Sequence, residues 1–383
     1  MRSPVRKRRA LVIGATGITG SNTARHLAEA GWEVFGVSRR ALEELPGVQQ
    51  VRADLLNPPG LRAALHDIAP THVFYCTWTR QDTEAANIEV NGAMLRNVLE
   101  TFDPAAAPEH VALVTGLKHY LGPFEAYGRN PAKPPYRESQ ARLSYENFYY
   151  VQEDILFEAA SRLGFTWSVH RPHTVIGFAL GNLMNMGVTL AVYATLARET
   201  GRPFVFPGSP EQYDGTTDIT DARLLARQLA WAATEPRAAN EAFNIVNGDT
   251  FHWRDMWKVV AAGVGVEPAP YPGHPTPLEA QMTDAQKTWG PLAERESLRQ
   301  ADVDRLASWW HTDGDLGRAV DTFADMTKSR HAGFTDVQDS RRSFLDLFER
   351  LRDERIIPRG ATRAAADSTT EGHQPPEREE GQV

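Results

Sequence analysis

Three glycines at a three-residue spacing, Gly14, Gly17 and Gly20, constrain the fold of this chain more than any other feature. They follow a short apolar run at residues 10–14, which predicts a buried strand, and a helix is predicted to begin near Ile18. Glycines here permit a tight turn and close approach to a pyrophosphate, whose charge a helix N-terminus favours. The pattern predicts a strand, loop and helix that bind a dinucleotide; a turn that needs glycine only for packing is the alternative.

The chain then alternates short apolar runs with amphipathic stretches, which is typical of an α/β fold. We predict a Rossmann-type doubly wound parallel sheet with a smaller C-terminal substrate lobe. The predicted strands are residues 10–14, 33–38, 48–53, 72–77, 110–115, 166–170 and 243–246. The predicted helices include residues 145–163, 182–200, 217–233 and 253–264, with Asp218 or Thr220 as the cap of the third. Six of the nine tryptophans lie after residue 230, which suits an apolar pocket or a plain core.

Composition excludes several classes of function. The formal net charge of −8 argues against a nucleic-acid surface, although the leader at residues 1–9 is basic. No apolar run reaches the roughly 20 residues that a membrane span needs, so we expect a cytoplasmic protein. The single cysteine, Cys76, rules out an internal disulfide; packing is the favoured role, and a catalytic thiol is the alternative. The histidines show no metal-binding pair, so no metal is predicted.

The end of the second strand indicates which dinucleotide binds. A carboxylate there would accept hydrogen bonds from the ribose of NAD, but this chain has Ser38, Arg39 and Arg40, which can grip a 2′-phosphate instead. We therefore predict NADPH (NADP+) as the cofactor. Asp54 is predicted to accept a hydrogen bond from the adenine amine; a helix cap or turn residue is the alternative. The cofactor-binding candidates are Gly14, Thr16, Gly17, Ile18, Gly20, Ser38, Arg39, Arg40, Asp54, Leu55, Thr77, Trp78, Thr115, Gly116, Tyr149, Pro172 and Val175.

The catalytic candidates are Lys118, just after the fifth strand, and Tyr149, early on the following helix. Many nicotinamide-dependent oxidoreductases carry Tyr-x-x-x-Lys on one helix, where the two side chains share a face. Glu153 occupies the lysine position here. The chain has either lost that chemistry or rebuilt it with Lys118, which could hold and polarise a carbonyl oxygen together with the phenol.

The residues resemble those of the progesterone 5β-reductase and iridoid synthase-like enone reductases, an atypical branch of the extended short-chain dehydrogenases. The resemblance covers about residues 8–358, and its most specific segments are residues 115–125 and 147–154. It also includes the glycine loop, residues 38–40, 73–78, 167–172, 240–244 and 247–249.

The resemblance implies that NADPH delivers a hydride to the β-carbon of an α,β-unsaturated carbonyl, such as a 3-oxo-Δ4-steroid. Tyr149 would hydrogen-bond the carbonyl oxygen and stabilise the enolate, while Lys118 would tune the phenol. This chain departs from the plant members at residues 173–177, which we expect to pass the nicotinamide, and the departure leaves steroid preference open. Candidates for the substrate wall, each of which could equally pack in the core, are Trp78, Phe124, Tyr127, Met184 and Met186.

Two other functions stay open on the sequence. One is a carbonyl reductase or sugar-nucleotide epimerase of the extended short-chain type, which the absent lysine at position 153 disfavours. The other is a protein that senses NADPH without turnover. We expect a small-molecule enone as the partner and leave a homodimer open. The predicted domains are a basic leader (1–9), an NADPH-binding Rossmann domain (10–175), a mainly substrate-binding lobe (176–358) and a disordered tail (360–383).

Overall fold

The main sheet has seven parallel strands in the order β3-β2-β1-β4-β5-β6-β9. The computed structural model describes residues 7–41, 45–123, 133–182 and 184–359. Two further strands, β7 and β8, pair in parallel beside the sheet. The prediction of a Rossmann-type doubly wound fold is confirmed. The strands are β1 (Arg9–Ile13), β2 (Glu33–Ser38), β3 (Val48–Arg52), β4 (His72–Tyr75), β5 (His110–Val114), β6 (Thr166–Pro172), β7 (Val175–Ile176), β8 (Thr220–Asp221) and β9 (Glu241–Ile245).

The apolar runs of the sequence form these strands because a parallel sheet is covered by helices on both faces. All four residues from Ala10 to Ile13 of β1 are fully buried, whereas the edge strand β3 carries two exposed glutamines. All seven predicted strands are present, with ends within two residues of the prediction. Strand β6 continues to Pro172 because its pairing with β9 extends that far.

Helices cover both faces of the sheet and build a lobe after it. Helix α1 packs against α8 on one face, and α3 packs against α5 on the other. The helices are α1 (Ile18–Glu29), α2 (Pro58–Leu65), α3 (Glu84–Leu99), α4 (Lys118–Leu121), α5 (Phe148–Leu163), α6 (Met186–Thr200), α7 (Pro210–Asp214), α8 (Ala222–Ala232), α9 (Trp253–Val264), α10 (Leu278–Gln281), α11 (Ala285–Arg295), α12 (Trp309–Leu316), α13 (Thr327–His331) and α14 (Ser340–Asp353).

The C-terminal half contributes to both parts of the molecule. Its α8 and β9 complete the sheet layers, while α6, α9, α11 and α14 surround a separate apolar core. Trp253, Trp257 and Trp289 are buried in that core, so these three tryptophans serve packing. The predicted boundary near residue 175 therefore does not separate the two parts cleanly, because α8 and β9 come after it and yet belong to the sheet layers.

Three helix starts differ from the prediction because a side chain downstream provides the cap. Asn147 accepts from the Tyr149 amide, and α5 begins at Phe148 instead of residue 145. Asn185 likewise caps α6. Helix α8 is capped by Asp221, so the prediction of Asp218 or Thr220 was wrong. Asp218 accepts from the Ala324 amide instead, at 2.8 Å.

In the described ranges, we find no helix that combines the length and the apolar character of a membrane span. Nor do those residues contain a group of three or more His, Cys, Asp and Glu side chains suited to a metal ion. The predicted disordered tail (360–383) and most of the basic leader lie outside the described residues.

Candidate active site

The glycine loop joins β1 to α1 at the point where the sheet order reverses. Strands β2 and β4 flank β1 on opposite sides, and such a reversal opens a crevice at the carboxyl ends of the strands. Gly14 has φ +85°, a backbone conformation that favours glycine. A Cβ on Gly20 would lie 2.2 Å from the Gly14 carbonyl oxygen, so only glycine fits there. Gly17 caps α1 without a side chain, which leaves its first N–H groups facing the crevice.

Two adjoining cavities of about 190 and 230 Å³ form a groove along these strand ends. They share Gly17, Thr77, Trp78 and Asn182, so the groove is continuous. Every predicted cofactor-binding residue lines one of the cavities except Gly20, which serves the close packing of the loop. The backbone donors and the glycines at positions 14 and 17 suit a dinucleotide pyrophosphate.

The smaller cavity contains the residues that were predicted to select the dinucleotide. Ser38, Arg39, Arg40 and Asp54 all line it, and both arginines are exposed. The Ser38 hydroxyl donates to the Arg40 carbonyl at 2.6 Å, which fixes the turn after β2. Asp54 accepts from the Leu56 amide at 3.0 Å, so it is a turn residue as well as a lining residue. Its contact with adenine stays a prediction.

Lys118 begins the short helix α4, four residues after β5, and its side chain is buried. Its ammonium lies 3.5 Å from a carboxylate oxygen of Glu84, at the start of α3. The same ammonium lies 4.7 Å from the ring centroid of Phe148 and 5.9 Å from that of Trp78. A carboxylate and two aromatic faces therefore hold the cation inside the protein.

Tyr149 is the second residue of α5, and two side chains fasten this helix start to the lysine turn. Asn147 accepts from the Tyr149 amide at 3.0 Å and donates to the Lys118 carbonyl at 2.7 Å. Glu84 joins the same two segments, because its second oxygen accepts from the Phe148 amide at 2.7 Å. Lys118 and Tyr149 consequently line one cavity, the larger of the two. This brings together the pair that the sequence predicted.

The position of the Tyr149 hydroxyl follows from its neighbours. A Cβ built on Gly116 would lie 3.4 Å from this hydroxyl and 3.3 Å from the Pro172 carbonyl oxygen. The phenol therefore sits between the ends of β5 and β6. Tyr150 has a different role, since its hydroxyl donates to the His119 carbonyl at 2.5 Å and accepts from the Leu143 amide. These two hydrogen bonds give it a structural role.

Glu153, which occupies the lysine position of the Tyr-x-x-x-Lys pattern, is part of a buried ion-pair cluster. Its oxygens lie 3.0 Å from Arg171 and 2.9 Å from Arg142, and His119 is 3.4 Å away. Burial opposes ionisation, but the contact with His119 and the charge of Arg171 lower the pKa of Glu153 to about 2. The carboxylate thus fixes α5 against β6 and does not face the reaction cavity.

The residues proposed for the substrate wall fall into three groups. Trp78 and Met184 line the larger cavity. Met186 is only 2% exposed and packs in the core of the C-terminal lobe. Phe124 and Tyr127 lie outside the described residues. Cys76 also lines the cavity, but burial raises the pKa of its thiol to about 12, which suits packing better than a nucleophile.

Sequence reasoning missed several residues of the site. Glu84 contacts both Lys118 and the start of α5, yet in the sequence it is an ordinary acidic residue in the first turn of a helix. Three polar residues of the larger cavity come from α12 and the turn after it, more than 130 positions beyond Pro172. No local pattern marks them. They are His311, Asp315 and Arg318.

Comparisons with known proteins agree on one family. A family model described as a PRISE-like Rossmann-fold domain matches residues 55–358. The (S)-8-oxocitronellyl enol synthase of Nepeta cataria is 39% identical over 363 residues, which cover 91% of this chain and 93% of the relative. The 3-oxo-Delta(4,5)-steroid 5-beta-reductase of Arabidopsis thaliana is 38% identical over 362 residues, with the same coverage of both chains.

Solved structures share the fold at much lower identity. The Bordetella bronchiseptica enzyme WbmH, crystallised with NAD+, superposes with a TM-score of 0.62 at 15% identity, over 91% of this chain and 99% of that one. An epimerase from Methanothermobacter thermautotrophicus gives 0.63 at 17% identity, over 91% and 93%. At these identities the likeness shows the fold alone.

Proposed function

This chain belongs to the PRISE-like Rossmann-fold family, and on that premise we propose that it is an enone reductase. It would reduce the C=C bond of α,β-unsaturated carbonyl compounds with a nicotinamide dinucleotide as the hydride donor. The names of two relatives, a 3-oxosteroid 5-beta-reductase and an enol synthase, support this class of reaction. The substrates named for these two relatives are not assigned to this chain.

The observation that carries the proposal is the convergence of Lys118 and Tyr149 on one cavity at the strand ends. A substrate carbonyl oxygen beside the phenol would accept its hydrogen bond. When hydride adds to the β-carbon, the C=C electrons move to the carbonyl and form an enolate. The phenol then stabilises the negative oxygen, and the buried ammonium adds its positive field. A proton from solvent at the α-carbon completes the saturated product.

The geometry favours conjugate reduction over direct carbonyl reduction. In the Tyr-x-x-x-Lys arrangement, the lysine shares a helix face with the tyrosine that protonates the carbonyl oxygen. Here that face carries Glu153, whose oxygens are engaged by Arg171 and Arg142. Conjugate reduction needs an oxyanion partner at the carbonyl, but the final proton goes to carbon. A cation held apart from the helix by Glu84 is therefore compatible with the enone chemistry.

We further propose NADPH as the preferred dinucleotide. Arg39 and Arg40 stand at the end of β2, where the adenosine ribose of a bound dinucleotide lies in such sheets. Charge-assisted hydrogen bonds from two guanidiniums to a 2′-phosphate are the expected contacts. A cytoplasmic location and a homodimer stay predictions.

The test is turnover of 2-cyclohexenone with NADPH by the purified protein. We expect loss of the reduced-cofactor absorbance and formation of cyclohexanone. We expect Tyr149→Phe to lower kcat by about 10²–10³-fold, because it removes a donor to the oxyanion. Tyr145→Phe is the matched control, since Tyr145 is exposed and precedes the helix. It should keep full activity.

Three results would contradict the proposal. Formation of 2-cyclohexenol would show direct carbonyl reduction. Full activity of Tyr149→Phe would show that the phenol does not bind the reacting oxygen. Absence of turnover with a panel of cyclic and acyclic enones would reject the enzyme class altogether.

A further inference from the structure

The larger cavity has a second polar wall, formed by segments other than those that carry Lys118 and Tyr149. It is formed by the loop after β6 and by α12 with the turn that follows it. The guanidinium of Arg318 is the cation of this wall, and its side chain is only 8% exposed. A buried arginine needs hydrogen-bond and charge partners, because burying an unpaired charge is costly.

Two partners hold Arg318 in one orientation. One terminal nitrogen donates to Nε2 of His173 at 2.6 Å, and the other contacts a carboxylate oxygen of Asp315. The second oxygen of Asp315 accepts from the Thr174 hydroxyl at 2.9 Å. Although burial opposes its ionisation, the adjacent guanidinium lowers the pKa of Asp315. The arginine is therefore both neutralised and fixed in direction.

The contact with His173 defines the tautomer of that ring. A guanidinium can only donate, so Nε2 of His173 accepts and Nδ1 carries the proton. Nδ1 then donates to Asp218, at 2.6 Å, and Asp218 is buried behind it. Because Asp218 holds the His173 ring, His173 keeps Arg318 at the cavity surface. Its single ring proton is used in the bond to Asp218, so it donates no hydrogen bond to a ligand.

The anchored guanidinium still has donors to spare. Arginine has five N–H groups, and the contacts with His173 and Asp315 use one on each terminal nitrogen. Its Nε–H has no partner among the residues that the structure describes. An ion pair that served only to tie α12 to the sheet would not need to line the reaction cavity. Nε is itself buried, so the donor that a ligand in this cavity can reach is the second N–H of a terminal nitrogen.

The charges around Arg318 favour a neutral acceptor over an anion. Asp315 already balances the guanidinium, and Glu84 balances Lys118 across the cavity. Burial lowers the pKa of His311, the remaining histidine of this wall, so it adds no positive charge at neutral pH. A carboxylate on the substrate would add a second negative charge beside Asp315, whereas a hydroxyl or a carbonyl oxygen would not.

We propose that Arg318 is a specificity-determining residue that binds a second, neutral oxygen of the substrate. The inference rests on the proposed function and narrows it: the substrate class is an enone with a further hydroxyl or carbonyl group that reaches Arg318. His173 and Asp315 are positioning residues that hold the guanidinium ready for that oxygen. Because the guanidinium is fixed before binding, little side-chain entropy is lost when the substrate arrives.

The test compares 4-hydroxy-2-cyclohexenone with 4-methyl-2-cyclohexenone, which differ in hydrogen bonding and hardly in size. For the wild type, we expect kcat/KM to be about tenfold or more higher for the hydroxy compound, as a hydrogen bond to a charged group provides. In Arg318→Met, this preference should fall to about twofold or less, mainly through a higher KM for the hydroxy compound. Arg341→Met is the control, because Arg341 is exposed on α14.

Arg318→Lys provides a second variant if Arg318→Met does not fold, since it keeps the charge but loses the forked donors. The preference of Arg318→Lys for the hydroxy compound over the methyl compound should also fall. Equal kcat/KM for the two enones in the wild type would overturn the inference and leave the proposed function intact. A preference that survives both substitutions would also overturn it. Absence of turnover with either compound and with 2-cyclohexenone would overturn the proposed function, and this inference with it.

Discussion

Replacing Glu153 with glutamine tests whether this side chain has a structural role. Position 153 is where the Tyr-x-x-x-Lys pattern carries its lysine. The Glu153 carboxylate is 3% exposed and lies 3.0 Å from Arg171, whose side chain is 6% exposed. A glutamine amide would keep the shape and remove the charge, so Arg171 would lose its buried counter-ion. Removing one partner of a buried ion pair costs about 3–5 kcal/mol. We therefore expect Glu153→Gln to lower the free energy of unfolding by about that amount at pH 7.

The lowered pKa of Glu153 gives a second measure of the same effect. A carboxyl group whose pKa falls from 4.5 to about 2 on folding contributes about 3 kcal/mol, since each pKa unit is about 1.4 kcal/mol. This contribution is fully present above pH 4.5 and is lost as the pH falls toward 2. The gap in stability between wild type and Glu153→Gln should therefore narrow by about 1.4 kcal/mol per pH unit below pH 4.5.

Urea unfolding, followed by tryptophan fluorescence at several pH values, measures both quantities. Glu158→Gln is the matched control, because Glu158 is on the same helix and exposed. It should change stability by less than about 0.5 kcal/mol. A loss in Glu153→Gln no larger than in the control would refute the structural role. A gap that widened on acidification would refute the assignment of the pH dependence to this carboxyl.

Two further predictions concern the cofactor groove. Replacing Arg39 and Arg40 together with Ala should raise KM for NADPH about 10–100-fold and KM for NADH much less, because only the phosphate contacts are lost; equal changes in both constants would contradict the 2′-phosphate assignment. Gly20→Ala should abolish dinucleotide binding in a fluorescence titration, since its Cβ would lie 2.2 Å from the Gly14 carbonyl oxygen. Gly314→Ala, where nothing lies within 4 Å, should bind normally, and normal binding by Gly20→Ala would show that the loop can rearrange.

The sheet and the cofactor groove could be predicted because their signals are local. Each buried strand is a short apolar run, and the glycine loop follows the first of them directly. The candidate catalytic pair needed more, since Lys118 and Tyr149 belong to separate segments: the strand end and the helix start indicated one region, and family resemblance implied their roles. The structure explains their meeting through Asn147 and Glu84.

The helix ends and the second cavity wall could not be predicted, because tertiary contacts decide them. Asp218, Thr220 and Asp221 are all acceptable cap residues within four positions of each other. Only Asp221 caps α8, because the other two are occupied by His173 and by the Ile245 carbonyl. Arg318 lies 145 positions after its partner His173. No spacing rule joins residues so far apart in the chain.

The ion-pair cluster and the relocated lysine depend on each other. A lysine at position 153 would place a third cation between Arg171 and Arg142, where the carboxylate now lies 3.0 and 2.9 Å from the two guanidiniums. Arg142 would keep its ion pair with Asp154, but the buried Arg171 would lose its counter-ion, so a lysine at this position is strongly disfavoured. With that position closed, a cation in the cavity that Tyr149 lines has to come from another element. Lys118 supplies it from the end of β5, where Glu84 neutralises it and the aromatic rings of Trp78 and Phe148 enclose it. Restoring the usual spacing by a single substitution would thus lose stability without recovering carbonyl reduction.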